Sequence, residues 1–372
     1  MKVLIWQWGR RGAGPLFAAG LAAAIATLEG HQAILSLSTQ SELLHGSAPP
    51  CCDLPFPTYS GLGGLLARLP GLPFAIAPLV RRLRRLAPEV AICAMPAALD
   101  AVMALALRRL GVPYFVVVHD AQAHPGDAVP LMQPLQRWLV RRAAGVIVLS
   151  QHIAGEVHAQ GLAGAGTPRP LLSSRLPPFS FGPPPAPPRT EGGPWRLLFF
   201  GRLLPYKGLD LLAATLQRLG PRPDLVVRVV GSGPDSTDLA TLAALPGVTV
   251  ERRWVPEEEL GALMAWADAL VLSHTEASQS GVAAAALAAR RWVVGTRVGG
   301  ITEQLSGEPL ARLADPDPDS LAAAIRTLVE GNPALPPAPP TDASSTAWRE
   351  TARALLTDIA GVLAAGKPTP RA

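Results

Sequence analysis

The chain has 372 residues with a formal net charge of +5; at roughly 150 residues per domain the length favours two domains. A hydrophobic content of 49% supports sizeable cores, and 16% charged residues leave a bland surface. Three cysteines, two of them adjacent (Cys51, Cys52), give neither a metal-ligand spacing nor a disulfide framework and fit a reducing cytosol, while arginine clusters without interleaved aromatics argue against a nucleic-acid binder.

In chain order, apolar strand-like runs alternate with helical ones, the rhythm of an α/β protein with parallel sheets. Residues 3–6 read as a strand, followed by a glycine loop, a helix to about Leu28 and a strand at 33–37. Arg10-Arg11 ahead of the uncharged run 12–28 imitates a twin-arginine export signal. The strand before the arginines favours strand, loop and buried helix instead. A long apolar, partly basic stretch follows Gly61, then strand 90–93, helix 97–110, strand 114–118, helix 129–143 and strand 145–149. No apolar run reaches the ~20 residues that span a bilayer. The texture changes at 176–194, a proline-rich, stiff connector. This divides the chain into a domain at 1–178, a linker at 179–194 and a domain at 195–344.

The second half repeats the rhythm, with strands at 196–200, 225–230, 248–251, 269–272 and 292–296, and helices between them. A second proline-rich patch, 332–340, precedes a final helix beginning near Ser345. Two such open sheets in tandem would face one cleft with the carboxyl ends of their strands, where ligands of these folds bind.

The most informative segment is Phe199-Phe200-Gly201-Arg202-Leu203-Leu204-Pro205-Tyr206-Lys207-Gly208. Two cations at the end of a buried strand, beside a helix start, suit a diphosphate; the plain alternative is a loop with two solvated charges. Gly12 and Gly14 would let backbone approach a phosphate at the first strand–helix turn, or only satisfy a turn. His119 ends the strand 114–118 and either bonds a sugar hydroxyl or phosphate oxygen, or is an ordinary core histidine. His124-Pro125-Gly126 adds a second imidazole and a turn. Gly231 and Gly233 offer backbone donors to a nucleotide, or form only a turn. Glu276 is an acid in a loop after the strand 269–272, and Ser280, Gly281 and Val282 would present N–H groups at a helix start; an N-cap is the alternative for Ser280. Asp315, Asp317 and Asp319 resemble a metal motif, but alternating prolines and a helix start explain them without a metal.

As a set these segments resemble the retaining glycosyltransferases of family 4, with the GT-B fold. The resemblance is carried by Gly201-Arg202-Leu203 with Lys207-Gly208, Val230-Gly231-Ser232-Gly233-Pro234, Val255-Pro256, Ala267-Asp268-Ala269, the 276–281 loop and Val298-Gly299-Gly300 with Glu303. In residues 1–175 it rests on Gly12, Gly14, His119-Asp120 and 124–126.

The resemblance implies two Rossmann-like domains facing across a cleft, with helix 345–372, marked by Trp348, returning to the N-terminal domain. It implies a nucleoside-diphosphate-sugar donor held mainly by the C-terminal domain, no cofactor and no metal. Arg202 and Lys207 would hold the diphosphate, Glu276 would match the first acid of the paired-glutamate motif, and His119 would lie near the reacting sugar. The expected partners are the donor, a saccharide or lipid-linked acceptor, and an anionic membrane surface met by the apolar-then-basic stretch 62–85; the alternative for that stretch is a helix buried against its own sheet with a solvated basic end. The expected setting is the cytoplasm, at the inner face of the membrane. Two departures stand out. The second glutamate, expected near 284 or 285, is replaced by the run Ala283 to Ala286, and the usual Gly-x-Pro is replaced by Arg290-Arg291-Trp292. Donor recognition would then be altered, and a catalytically degenerate scaffold is the rival reading. A second rival, a sugar-nucleotide epimerase of the same fold, lacks support because this sequence places no pair of bases for proton exchange at a sugar carbon.

Overall fold

The computed structural model describes residues 1–122, 124–126, 132–181, 193–340 and 342–365, with the backbone alone for Leu62. The expected helix start at 129 and most of the proline-rich linker lie outside these residues. The chain divides into two compact units, Met1–Gln122 with Val129–Pro177 and Ser345–Ala372, and Ala123–Ala128 with Pro178–Ser344.

The first unit holds strands β1 (Lys2–Gln7), β2 (Gln32–Leu37), β3 (Val90–Cys93), β4 (Tyr114–Val118), β5 (Gly145–Val148) and β6 (Leu171–Ser173). Its helices are α1 (Ala13–Ala26), α2 (Gly61–Arg68), α3 (Leu72–Leu86), α4 (Asp100–Leu110), α5 (Met132–Arg142) and α6 (Gln151–Ala159). The strands pair in parallel in the order β2-β1-β3-β4-β5-β6. Helices cover both faces of such a sheet, so its strands are continuous apolar runs rather than alternating ones; Val3, Leu4, Ile5 and Trp6 are all fully buried.

The second unit repeats the design with β7 (Trp195–Arg202), β8 (Leu225–Ser232), β9 (Val248–Arg252), β10 (Ala269–Leu272), β11 (Trp292–Thr296) and β12 (Ala311–Ala314). The helices here are α7 (Leu209–Leu219), α8 (Thr237–Ala243), α9 (Glu257–Trp266), α10 (Gly281–Ala288), α11 (Gly299–Leu305) and α12 (Pro318–Gly331). The order is β12-β11-β10-β7-β8-β9, again parallel. The last helix, α13 (Ala343–Ala365), belongs mostly to the first unit. Its Trp348 ring lies on α1, where a Cβ at Gly20 would stand 2.6 Å from the indole, and tilts against Phe17 at 5.8 Å.

Each sheet has one point where the strand order reverses, between β1 and β3 in the first and between β7 and β10 in the second. Loops leaving the carboxyl ends of strands that flank such a point diverge and leave a crevice. The loops after β7 and β10 carry Lys207 and Glu276, so topology brings two separated motifs to one place.

One sequence expectation needs correction. The stretch Gly63–Leu86 is long and apolar enough, by length and composition, to cross a membrane. Scattered prolines and Arg68 hide its continuity in the sequence. Within α3, Ile76, Leu79 and Leu83 are buried in the first unit's core at helical spacing. That packing holds α3 against the domain.

Below the same core, Asp100 opens α4 and is completely buried. Its Oδ2 accepts from the Ala97 amide at 2.7 Å and from the Cys93 thiol at 3.3 Å. Burial pushes its pKa from 3.8 up to about 7, against the pull of those two donors. Between these two values the folded protein keeps a proton that the unfolded chain has released. The contribution of Asp100 to stability therefore falls as pH rises through this window and is highest below it. In urea unfolding at pH 5 and pH 8, Asp100→Asn should gain stability at pH 8 relative to pH 5 when compared with the wild type, in which the buried His119 and His274 pull the other way. An equal difference in both proteins would contradict the assignment.

Candidate functional site

The site in the second unit begins with β7, which ends in Gly201 and Arg202. The chain then makes one short turn of 3-10 helix, Pro205–Lys207, and enters α7 through Gly208. Gly208 has φ 68°, and a Cβ there would lie 1.8 Å from the Ser273 carbonyl oxygen. Only glycine allows both the left-handed backbone and this approach. The loop after β10 lies directly on the turn. Ser273 Oγ reaches the carbonyl oxygens of Lys207 (3.0 Å) and Gly208 (2.8 Å), and the Thr275 amide donates to Tyr206 O at 3.0 Å.

Tyr206 is the buried pivot of the turn. The Arg202 guanidinium donates to its hydroxyl at 2.8 Å and lies 5.8 Å from the ring centre; the Lys207 ammonium lies 5.0 Å from the same centre. His124 stacks on the ring, 4.5 Å between centroids, and its Nδ1 faces the Glu276 carboxylate at 3.4 Å. Lys207 Nζ donates to His274 Nε2 at 2.8 Å. His274 is buried, and its pKa is held well below the usual value by that burial first, then by the neighbouring Lys207 and His124 charges. Arg202, Lys207 and Glu276 are thus gathered around one tyrosine.

The start of α10 completes this face. Ser280 caps the helix, its hydroxyl accepting from the Ala283 amide at 3.2 Å. The expectation that the Ser280 amide is open to an anion is overturned, because that N–H donates to Gln304 Oε1 at 2.9 Å while Gln304 Nε2 returns a bond to Ser280 O at 3.0 Å. Gly281 and Val282 remain as the first-turn amides. Val282 lies beside Gly201, 3.8 Å from where a Cβ would stand. Gly231 and Gly233 have a packing reason of their own: a Cβ would fall 1.7 Å from Gly201 O or 2.3 Å from Leu203 O.

In the first unit, Gly12 caps α1 with φ 84°, and a Cβ at Gly14 would stand 2.9 Å from Gln7 Nε2. His119 is 7% exposed, donates Nε2 to Ala94 O at 2.9 Å and meets Phe17 edge-on. Burial lowers its pKa. For this nitrogen the geometry is that of a core histidine.

The Arg290-Arg291 departure is structural. Arg290 adopts φ 55° and its guanidinium donates to Pro336 O and Pro337 O. Arg291 is 1% exposed and donates Nε to Met264 O at 2.8 Å, closing the carboxyl end of α9. Burial pulls its pKa down to about 10 despite nearby Asp268. The aspartate motif also resolves as a cap, with Asp317 accepting from the Ser320 amide at 2.9 Å at the start of α12. No group of three or more potential metal ligands occurs among the described residues. Sequence reasoning passed over Tyr206, His274 and Gln304. An aromatic between two cations was the available signal for the first.

Two family models match, "Glycosyl transferase 4-like domain" over residues 12–168 and "Glycosyl transferases group 1" over residues 194–331. The chain belongs to the family 4 glycosyltransferases. It is 28% identical over 233 residues to a 2-deoxystreptamine glucosyltransferase of Streptomyces kanamyceticus, covering 57% of this chain and 60% of that one. It is 31% identical over 205 residues to a glycogen synthase of Mycobacterium tuberculosis, covering 53% and 48%. The chain therefore matches roughly half of the length of these curated relatives. Among solved structures, Anabaena Alr3699/HepE in complex with UDP and glucose superposes with a TM-score of 0.65 at 18% identity, over 98% of this chain and 100% of that one. The fold is that of the GT-B glycosyltransferases, two Rossmann-like domains.

Proposed function

We propose that this glycosyltransferase is a retaining enzyme that moves a sugar from a nucleoside-diphosphate-sugar to a saccharide or lipid-linked acceptor. The observation that carries the reading is the pair of cations around Tyr206, at the strand-order reversal of the second sheet. Breaking the bond between the sugar and the diphosphate leaves negative charge on the phosphate oxygens. Arg202, Lys207 and the amides of Gly281 and Val282 stabilise that charge without a metal ion. Pre-placed donors are most effective where charge develops, because they do not reorganise during reaction. The leaving phosphate takes the acceptor's proton on the same face as the departing bond, so the anomeric configuration is retained. Glu276, with His124 at its carboxylate, orients the donor sugar. His119, at the end of β4, lies near the reacting sugar in this reading. The UDP and glucose of the Anabaena neighbour support a UDP-sugar as donor.

One observation favours the rival of a donor-binding scaffold without turnover: Ala283 to Ala286 are buried and supply no carboxylate for the ribose. Donor-hydrolysis and transfer assays across sugar nucleotides separate the two. Turnover supports the enzyme, and binding without turnover supports the scaffold. In the active protein, Lys207→Ala should lower kcat/KM for the donor ten- to a hundred-fold, the loss of one charge-assisted contact of about 1.5–3 kcal/mol. Unchanged kinetics would contradict the assignment.

We also propose that the enzyme works in the cytoplasm at the inner face of an anionic membrane. Leu66, Leu69 and Phe74 are exposed by 58%, 48% and 80% and fall in one short stretch across α2 and α3. Arg81, Arg82, Arg84 and Arg85 follow on the exposed side of α3. Apolar side chains enter the lipid boundary while arginines meet the headgroups. Each cation near such a surface contributes about 1 kcal/mol. Flotation with vesicles containing phosphatidylglycerol should carry the protein upward, and replacing the four arginines with glutamine should leave it at the bottom. Equal flotation of both, or of neither, would refute the membrane contact.

A further inference from the structure

We propose that His274 is a positioning residue: a neutral imidazole that accepts from the Lys207 ammonium and fixes it at the diphosphate position. This rests on the donor reading above and adds to it a residue with no assigned part in the reaction.

A lysine side chain carries about 2 kcal/mol of rotamer entropy. An ammonium held in place before the donor arrives is spared that cost on binding and in the transition state. His274 is built to provide such a hold. It leaves the carboxyl end of β10, its carbonyl oxygen accepts from Thr296 Oγ1 at 2.6 Å, and it is 2% exposed. Its ring meets Tyr206 at 70° with centroids 6.3 Å apart. Ser273 and Thr275, on either side of it, bind the backbone of residues 206–208. The two loops are therefore held in one register, and the 2.8 Å Nζ···Nε2 contact is where that register reaches a charged atom.

The chemistry of the acceptor matters as much as its place. A carboxylate at this point would orient the ammonium but cancel much of its charge. A neutral ring nitrogen orients it and leaves the charge available to the diphosphate. The charged groups facing the imidazole are Lys207 itself and His124. Burial and these two neighbours disfavour a positive charge on the ring, and because an ammonium can only donate, Nε2 is the acceptor of the 2.8 Å contact.

A double-mutant cycle on donor kinetics tests this, with melting temperature recorded for each variant. His274→Leu should lower kcat/KM about tenfold, chiefly through kcat, as expected for one hydrogen bond to a charged group. His274→Gln, whose Oε1 can reach the Nε2 position, should recover most of the activity. His274→Asn, too short to reach it, should behave like the leucine variant. In a Lys207→Ala background, His274→Leu should cost less than twofold. A full tenfold cost in that background, or a glutamine variant as poor as the asparagine one, would overturn the proposal while leaving the donor reading intact. Wild-type kinetics in Lys207→Ala would instead remove the donor reading, and this proposal with it.

Discussion

The seam between the loops after β7 and β10 is the constraint on which the rest of the site depends. Gly208 has no side chain because the Ser273 carbonyl occupies the space. Once the two loops touch there, Ser273, Thr275 and His274 can bond the turn that carries Lys207. Tyr206 then stands between Lys207 and Arg202 and gives both cations one reference surface. Two glycines at the end of β8 follow the same logic: Gly231 and Gly233 let the chain approach the Gly201 and Leu203 carbonyls more closely than side chains would permit. A binding face of backbone amides and cations needs this kind of support, since misplacement by an ångström costs much of the electrostatic gain.

Several buried polar groups under this face are paired. Asp268, ahead of β10, accepts from the Arg196 amide at 2.8 Å and from its guanidinium at 3.1 Å, lacing the two strands that flank the reversal of strand order. Arg291 satisfies carbonyls at the end of α9, and Gln304 pairs reciprocally with the Ser280 backbone. A buried guanidinium left without such partners would be costly. Arg290 and Arg291 therefore act in the scaffold.

Much of this was legible in the sequence. Parallel strands buried on both faces are continuous apolar runs, and Val90–Cys93 and Ala269–Leu272 stand out for that reason. Arg202, Lys207 and Glu276 follow from charge at the ends of such strands. The short edge strands Leu171–Ser173 and Ala311–Ala314 were missed, because each is too short for a periodic signal and β12 carries an arginine. The two-glycine start of α11 hid a helix. At the site, His274 was unreadable because its meaning lies in a partner 67 residues away. The Ser280 amide was misjudged for a similar reason: Gln304, 24 residues on, takes it. Local sequence describes strands and turns well, but it does not say which polar atoms find each other across loops.

The central claim is that the Arg202 and Lys207 side chains meet a diphosphate beside the first turn of α10. A crystal structure of the protein soaked with UDP tests it most directly. The account predicts the β-phosphate within hydrogen-bonding distance of both cations and of the Gly281 or Val282 amide. A diphosphate bound elsewhere, with neither cation in contact, would contradict it.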